Sequence, residues 1–273
     1  MEEKNFFDEA CGAIESEYDI RDYKIVAASN FPKKYSIGLL PQIKNQKSTG
    51  SCVAHALSSL IEYHHMRQHT AQNTFSTEFI YGMREASDHK GSGLVIRQAL
   101  KAIQKYGDVY YDDCPGNHEW EEAMENIAEQ KDKLVELAYP HRISTYVKLT
   151  TEDEIKTALM QNGPVIVSMR WYKGYKLVDD IFTWDPKATG GLHCLLVYGW
   201  DERGWLVQNS YGKSWAKDGR FVVPYNFEFR EAWGITDTIT DLTIIKPKEN
   251  KVMSIIYKAL NVVVNFVKKL WKK

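Results

Sequence analysis

A chain of 273 residues with a formal net charge of -1 can form one large domain or two lobes sharing a core, and it carries no overall field to recruit nucleic acid. Its composition, 44% hydrophobic and 26% charged, is that of a globular protein, which excludes a disordered or fibrous class. Four scattered cysteines, Cys11, Cys52, Cys114 and Cys194, lack C-x-x-C spacing; they exclude a zinc finger, demand no disulfide and fit a reducing compartment.

Residues 1–30 are rich in Glu and Asp and weakly periodic, and they read as an N-terminal extension or short propeptide-like segment. Their start has no apolar core of a signal peptide, so the expected location is cytoplasmic. Pro32, Gly38, Pro41 and Gly50 then mark an extended approach to a first helix that begins near Ser51. Val53, Ala56, Leu57, Leu60 and Ile61 give that helix one buried face. A second helix is predicted after Ser76, a third over Val95 to Tyr106 with its stop at Gly107, and solvent-facing helical structure over 119–138. Thr151 to Gln161 is one more helix, opened by Thr151 and an acidic turn and closed by Gly163-Pro164. Strands follow over Val165–Met169, Leu192–Trp200, Trp205–Asn209 and Arg220–Pro224. Helices first and strands second predict an α+β protein with a cleft between two lobes.

The chemistry concentrates around Cys52. It opens a long helix after Gly50-Ser51, where unpaired amides and the helix dipole favour a thiolate of lowered pKa. Upstream stands Gln46 in the run Gln42-Ile43-Lys44-Asn45-Gln46; downstream stand Gly190-Gly191-Leu192-His193-Cys194 and Gln208-Asn209-Ser210-Tyr211-Gly212-Lys213-Ser214-Trp215. In these residues the chain resembles the papain-like cysteine peptidase family, and in style its bacterial members, over about residues 35 to 225. His193 and Asn209 follow Cys52 near the spacing of about 130–150 residues that the family carries, the second slightly beyond it.

The resemblance implies a two-lobed fold: a peptidase domain over 31–248, with a helical lobe at about 45–140 and a β lobe at about 141–248. It implies a cysteine endopeptidase that passes through a thioester. Cys52 would be the nucleophile, His193 the general base and acid, Asn209 the residue orienting His193, and Gln46 a donor of the oxyanion hole. Gly91 and Gly93 would form a glycine ledge for substrate, with Leu192 and Trp215 also lining the substrate site. Val53 and Tyr211 stand where the family has Trp, and Ala216 where it has Gly. No cofactor or metal is expected, and the partner is a peptide or protein substrate.

Other residues have plainer readings. His55 is expected to be a buried, hydrogen-bonded histidine, and His64, His65 and His69 a solvated helix end. Cys194 should pack, and Cys114 should lie in a loop as a thiol. Residues 249–273 read as a basic amphipathic helix: Val252, Ile256, Leu260, Val263, Val264, Val267, Leu270 and Trp271 oppose six lysines. It is suited to a membrane surface, a partner groove, or packing on its own protein or a second copy. The acidic first 30 residues are expected to cover the cleft or to pair with that tail. The alternative function is a catalytically weak papain-fold binding module, associated with a membrane or partner through its C-terminal helix.

Overall fold

The computed structural model describes residues 11–69, 73–85, 87–236 and 244–245. The expected C-terminal amphipathic helix and the first ten residues lie outside the described residues. Helix α1 (Cys52–His69) starts at the residue the sequence marked and is buried on every side as far as Met66. Such a helix must pair its polar side chains internally. Ser58 Oγ donates to the Phe75 carbonyl at 3.0 Å, and the Glu62 carboxylate accepts from Lys44 Nζ at 2.6 Å and from Phe75 N–H at 2.9 Å. His55 is buried as expected, its Nδ1 3.0 Å from the Ser51 carbonyl oxygen. The solvated helix end holds for His69, which is exposed, and is corrected for His64 and His65: both are buried, His65 packing edge-on to Phe75, Tyr110 and His141.

Helix α2 (Thr77–Gly82) is capped by Ser76, whose Oγ accepts from Phe79 N–H. Helix α3 (Ile96–Lys105) ends where Gly107 takes a φ of 89°, against the carbonyl oxygen of Ala138. The helical stretch expected at 119–138 is two pieces, α4 (Trp120–Ala128) and α5 (Lys131–Ala138). They turn Ile127, Leu134 and Ala138 inward, into a cluster with Phe79, Met83 and Val109, and Ala123 into the cluster of α1 and α3. Cys114 lies in a loop as a free thiol, as expected; it is also buried, and burial pushes its thiol up to about 11. Helix α6 (Glu152–Gln161) opens with a full capping box between Thr151 and Glu154.

In chain order the strands are β1 (Ala13–Ile14), β2 (Lys24–Ile25), β3 (Tyr35–Ser36), β4 (Leu94–Val95), β5 (Thr145–Leu149) and β6 (Val165–Tyr172). They continue as β7 (Lys176–Val178), β8 (Ile181–Thr183), β9 (Gly190–Asp201), β10 (Gly204–Gln208), β11 (Arg220–Val223), β12 (Glu231–Thr236) and β13 (Ile244–Ile245). The main sheet has the order β5-β12-β6-β9-β10-β11-β8-β7, with β3 also paired to β9. Strand β12 mixes Glu231 and Gly234 with Trp233 and Ile235 and is buried throughout, so it shows no two-residue alternation to betray it. One apolar cluster joins α1, α3 and the near face of β6, β9 and β12; a second fills the far face of the sheet. The N-terminus of α1 thus meets the near face at β9. Among the described residues no helix is long and apolar enough to cross a membrane.

Candidate active site

Cys52 is the first residue of α1, and the Ser51 carbonyl accepts the His55 N–H at 3.0 Å as the first bond of the helix. Amides of Cys194, Gly12, Val53 and Cys52 itself are directed at its sulfur. His193 sits on β9 immediately before Cys194 and is fully buried. Its Nε2 donates to Asn209 Oδ1 at 2.8 Å, which fixes the proton on that nitrogen and leaves Nδ1 as the basic one. The imidazole is flanked by Trp171, with ring centroids 4.9 Å apart, and by Tyr211 at 5.0 Å. Tyr211, at a position where the resemblance expects a Trp, thus packs on the imidazole.

Asn209 lies just past β10, and its backbone is pinned by a 2.9 Å bond to the Gly219 carbonyl. Its Oδ1 also accepts the Ser210 N–H at 2.7 Å, so the oxygen has two donors and cannot be flipped cheaply. The same turn holds Gln46. Gln46 N–H donates to the Ser210 carbonyl at 2.8 Å, Ser210 Oγ donates to Gln46 Oε1, and Gln46 Nε2 donates to the Thr49 carbonyl at 2.8 Å. The four residues singled out in the sequence, Gln46, Cys52, His193 and Asn209, therefore share one buried neighbourhood.

A segment of the N-terminal extension runs through the cleft over that neighbourhood. Cys11 packs against Gly191, where an added Cβ would lie 2.6 Å from the Cys11 Cβ. Gly12 passes between Gly50 and Gly93: a Cβ on Gly12 would fall 1.7 Å from the Gly50 carbonyl oxygen, and one on Gly93 would fall 2.7 Å from the Gly12 oxygen. The Gly12 carbonyl accepts the Leu94 N–H at 2.7 Å, and β1 continues as a parallel pair with β4, Ala13 beside Leu94 and Ile14 beside Val95. Further on, Ser16 N–H donates to Glu231 Oε2 at 3.2 Å. The Arg97 guanidinium grips the Glu17 carbonyl and the Asp22 carboxylate.

Burial reverses one expectation. The helix N-terminus was expected to lower the Cys52 pKa; instead burial, the largest influence, pushes the thiol up to about 11 despite the amides aimed at it. Beneath the strap Cys52 is a neutral thiol.

The predicted lining residues divide. Gly93 touches the strap and is held by the Tyr81 hydroxyl, which accepts its N–H at 3.0 Å. Gly91 sits back from it, its carbonyl accepting from Arg84 at 2.7 Å. Leu192 lies at the rim of the near-face cluster, and Trp215 joins Trp171 and Tyr211 on the His193 side, its indole N–H 3.3 Å from the Tyr175 hydroxyl. Among the described residues no three His, Cys, Asp or Glu side chains are placed to hold a metal ion. Sequence reasoning missed Gly12, Trp171, Ser210 and Glu231. Of these only Gly12 left a trace, a small residue between Cys11 and Ala13 in an otherwise acidic stretch.

A family model described as papain family cysteine protease matches residues 29–242. An uncharacterised peptidase C1-like protein of Acanthamoeba polyphaga mimivirus is 27% identical over 205 residues, covering 67% of this chain and 64% of that protein. Human cathepsin O is 28% identical over 105 residues, 37% of this chain and 32% of its own. The chain thus spans less than two thirds of these curated relatives. In fold it is similar to xylellain, a cysteine protease from Xylella fastidiosa, with a TM-score of 0.75 at 23% identity over 85% of this chain and 97% of that one. Procathepsin L 3 of Tenebrio molitor larval midgut superposes with a TM-score of 0.65 at 16% identity, over 84% and 77% of the two chains. With its mixed helical and β lobes and a family match across most of its length, the chain belongs to the papain family of cysteine proteases.

Proposed function

We propose that this protein is a cysteine endopeptidase in which Cys52, His193, Asn209 and Gln46 carry the chemistry, and that residues 11–16 hold it in a self-blocked state. The observation that carries the reading is the His193 Nε2–Asn209 Oδ1 bond at 2.8 Å on the strand facing the N-terminus of α1. With Nε2 committed to Asn209, Nδ1 is the nitrogen that takes the Cys52 proton. Attack by the thiolate sulfur on a peptide carbonyl gives a tetrahedral oxyanion, for which the Cys52 N–H and the Gln46 side chain are the donors. The imidazolium then protonates the departing amine, leaving a thioester that water hydrolyses.

The direction of the strap explains why it blocks instead of being cut. In productive binding the departing amine must lie toward His193 and the acyl portion toward Gly93 and β4. The strap has the opposite polarity: its N-terminal residue Cys11 lies toward His193, at Gly191, and Ala13 and Ile14 lie along β4. A peptide carbonyl bound in that sense sends its amine away from the acid that must protonate it.

The test is mass spectrometry after an epoxide inhibitor of cysteine peptidases, on the full chain and on its Gly12→Ala, Gly12→Ala/Cys52→Ala and Gly12→Ala/His193→Ala forms. A single adduct on Cys52 in the Gly12→Ala form, weak in the native chain and suppressed by His193→Ala, is expected. No adduct in any form would refute the peptidase reading and leave the fold as a binding module.

A further inference from the structure

The loop that leads to the nucleophile is gripped by a second segment. Residues 45–51 run from Asn45 through Gln46 to the head of α1, and Lys47 among them takes a φ of 54°, which a side chain adopts only at a cost. Asn117, His118 and Glu119, just before α4, lie along that loop. Asn117 Nδ2 donates to the Gln46 carbonyl at 3.0 Å, and its Oδ1 lies 3.2 Å from Thr49 Oγ1 and 3.4 Å from Ser51 Oγ. Glu119 Oε1 accepts the Gly50 N–H at 3.1 Å. Its other oxygen accepts from the Ser92 hydroxyl at 3.2 Å and the Tyr81 hydroxyl at 3.3 Å.

The gripping segment is itself anchored. Between its two outer residues, His118 donates its N–H to Glu78 Oε2 at 3.0 Å, and its ring Nδ1 lies 2.7 Å from Glu78 Oε1. Glu78 belongs to α2, is almost fully buried, and also accepts from Asn126 Nδ2 of α4 at 3.0 Å. Gly116 makes room for this carboxylate, since a Cβ there would fall 2.6 Å from the Glu78 carboxyl carbon. A buried carboxylate with so many donors is a fixed point, because each charge-assisted bond would have to be given up for it to move. Asn117 therefore reaches the loop from a rigid support.

We propose that Asn117 is a positioning residue for the donors of the oxyanion hole. The path to them is short. Gln46 Nε2 uses one hydrogen on the Thr49 carbonyl at 2.8 Å, and Thr49 Oγ1 donates back to the Gln46 carbonyl at 2.8 Å. This closed ring sets where the second hydrogen of the Gln46 amide points, and Asn117 touches it at both the Gln46 carbonyl and the Thr49 hydroxyl. The Cys52 N–H, the other donor, follows directly on Ser51, which Asn117 also meets. A small displacement of such donors weakens them at the moment charge develops on the carbonyl oxygen. An aspartate in place of Asn117 has the same shape but sets a carboxylate oxygen against the Gln46 carbonyl oxygen, so the bond becomes a repulsion.

This inference rests on the peptidase reading, and two readouts separate them. Each variant is made in the full chain carrying Gly12→Ala. Hydrolysis of a peptidyl coumarin amide passes through an oxyanion; alkylation of Cys52 by iodoacetamide, a displacement at a saturated carbon, does not. Asn117→Ala and Asn117→Asp are each expected to lower kcat about tenfold, with KM and the alkylation rate within about twofold of the Gly12→Ala chain. A role confined to holding the fold would lower both readouts together. Should Asn117→Ala fail to fold, the isosteric Asn117→Asp decides. An unchanged kcat, a loss confined to KM, or an alkylation rate that falls in step with kcat overturns the role of Asn117 and leaves the peptidase standing. A Gly12→Ala chain that neither takes the epoxide on Cys52 nor cleaves the amide overturns both.

Discussion

Two regions meet at the Cys52 sulfur and are built to different standards. The His193 side is continuous with the sheet. Strand β9 is paired over eight residues with β6 and over further residues with β10, and the Asn209 turn is tied to Gln46 by bonds from both backbones and side chains. The strap side is a two-residue parallel pair, a fit between three glycines, and a few bonds from Ser16, Glu17 and Asp22 to Arg97 and Glu231. A region held by many cooperative contacts opens only when the protein unfolds, and one held by few opens alone. The difference teaches that the proposed blocked state should be released without disturbing the neighbourhood of His193 and Asn209.

Breaking the weaker side should give the largest effect. Gly12→Ala places a methyl group within 1.7 Å of the Gly50 carbonyl, a backbone atom that cannot rotate away. If the closed state exceeds the open one by 99 to 1, displacing the strap raises the Cys52 alkylation rate by about 10²-fold. Stopped-flow alkylation measures it, and an unchanged rate would mean that the strap does not limit access. The burial that holds the thiol at about 11 is relieved at the same time, so the reactive pH range should move downward.

Loosening the stronger side should cost somewhat less. Asn209→Ala in the Gly12→Ala chain removes the acceptor of His193 Nε2 and frees the imidazole to turn between Trp171 and Tyr211. A loss in kcat of about tenfold to 10²-fold is expected, with little change in KM. A fall confined to KM would place Asn209 outside the orientation of His193.

The smallest effect tests whether acid reaches the helix behind the nucleophile. Burial holds His55 down to about 3 and His64 down to about 4, from 6.5 in an unfolded chain. Both folded-state values are depressed, so the unfolded chain binds more protons as the pH falls. The stability present above pH 6.5 is then lost progressively down to about 3 and about 4. The slope is about 1.4 kcal/mol per pH unit for each histidine within its window. Urea titrations from pH 7 to 5 measure it, and His64→Gln should flatten the slope; an identical slope in the variant would contradict a neutral His64.

Much of this was legible locally. A cysteine after Gly50-Ser51 at the start of an apolar repeat announces the head of a helix, Thr151 with Glu154 announces a capping box, and Gly107 announces a stop. Each depends on groups within a turn or two of the chain. The four catalytic candidates could be named because their flanks resemble a known family, although nothing in the spacing itself brings Gln46 to Ser210. His65, near the end of α1, was misjudged because it packs on Phe75, Tyr110 and His141, elements away in sequence, whereas His69 is exposed as expected.

The sequence by itself determined where the helices begin and end, which strands are apolar, and which side chains have the chemistry of a thiol peptidase. Those properties follow from propensity, capping and residue type, which act over a few residues. Only the tertiary structure decided that Gly12 lies against Gly50 and Gly93, that Cys52 is a neutral thiol beneath it, and that Asn117 reaches the Gln46 carbonyl. Close approach, burial and long-range hydrogen bonds are relations between distant segments, and the free energy of a charge or a thiol depends on what those segments exclude.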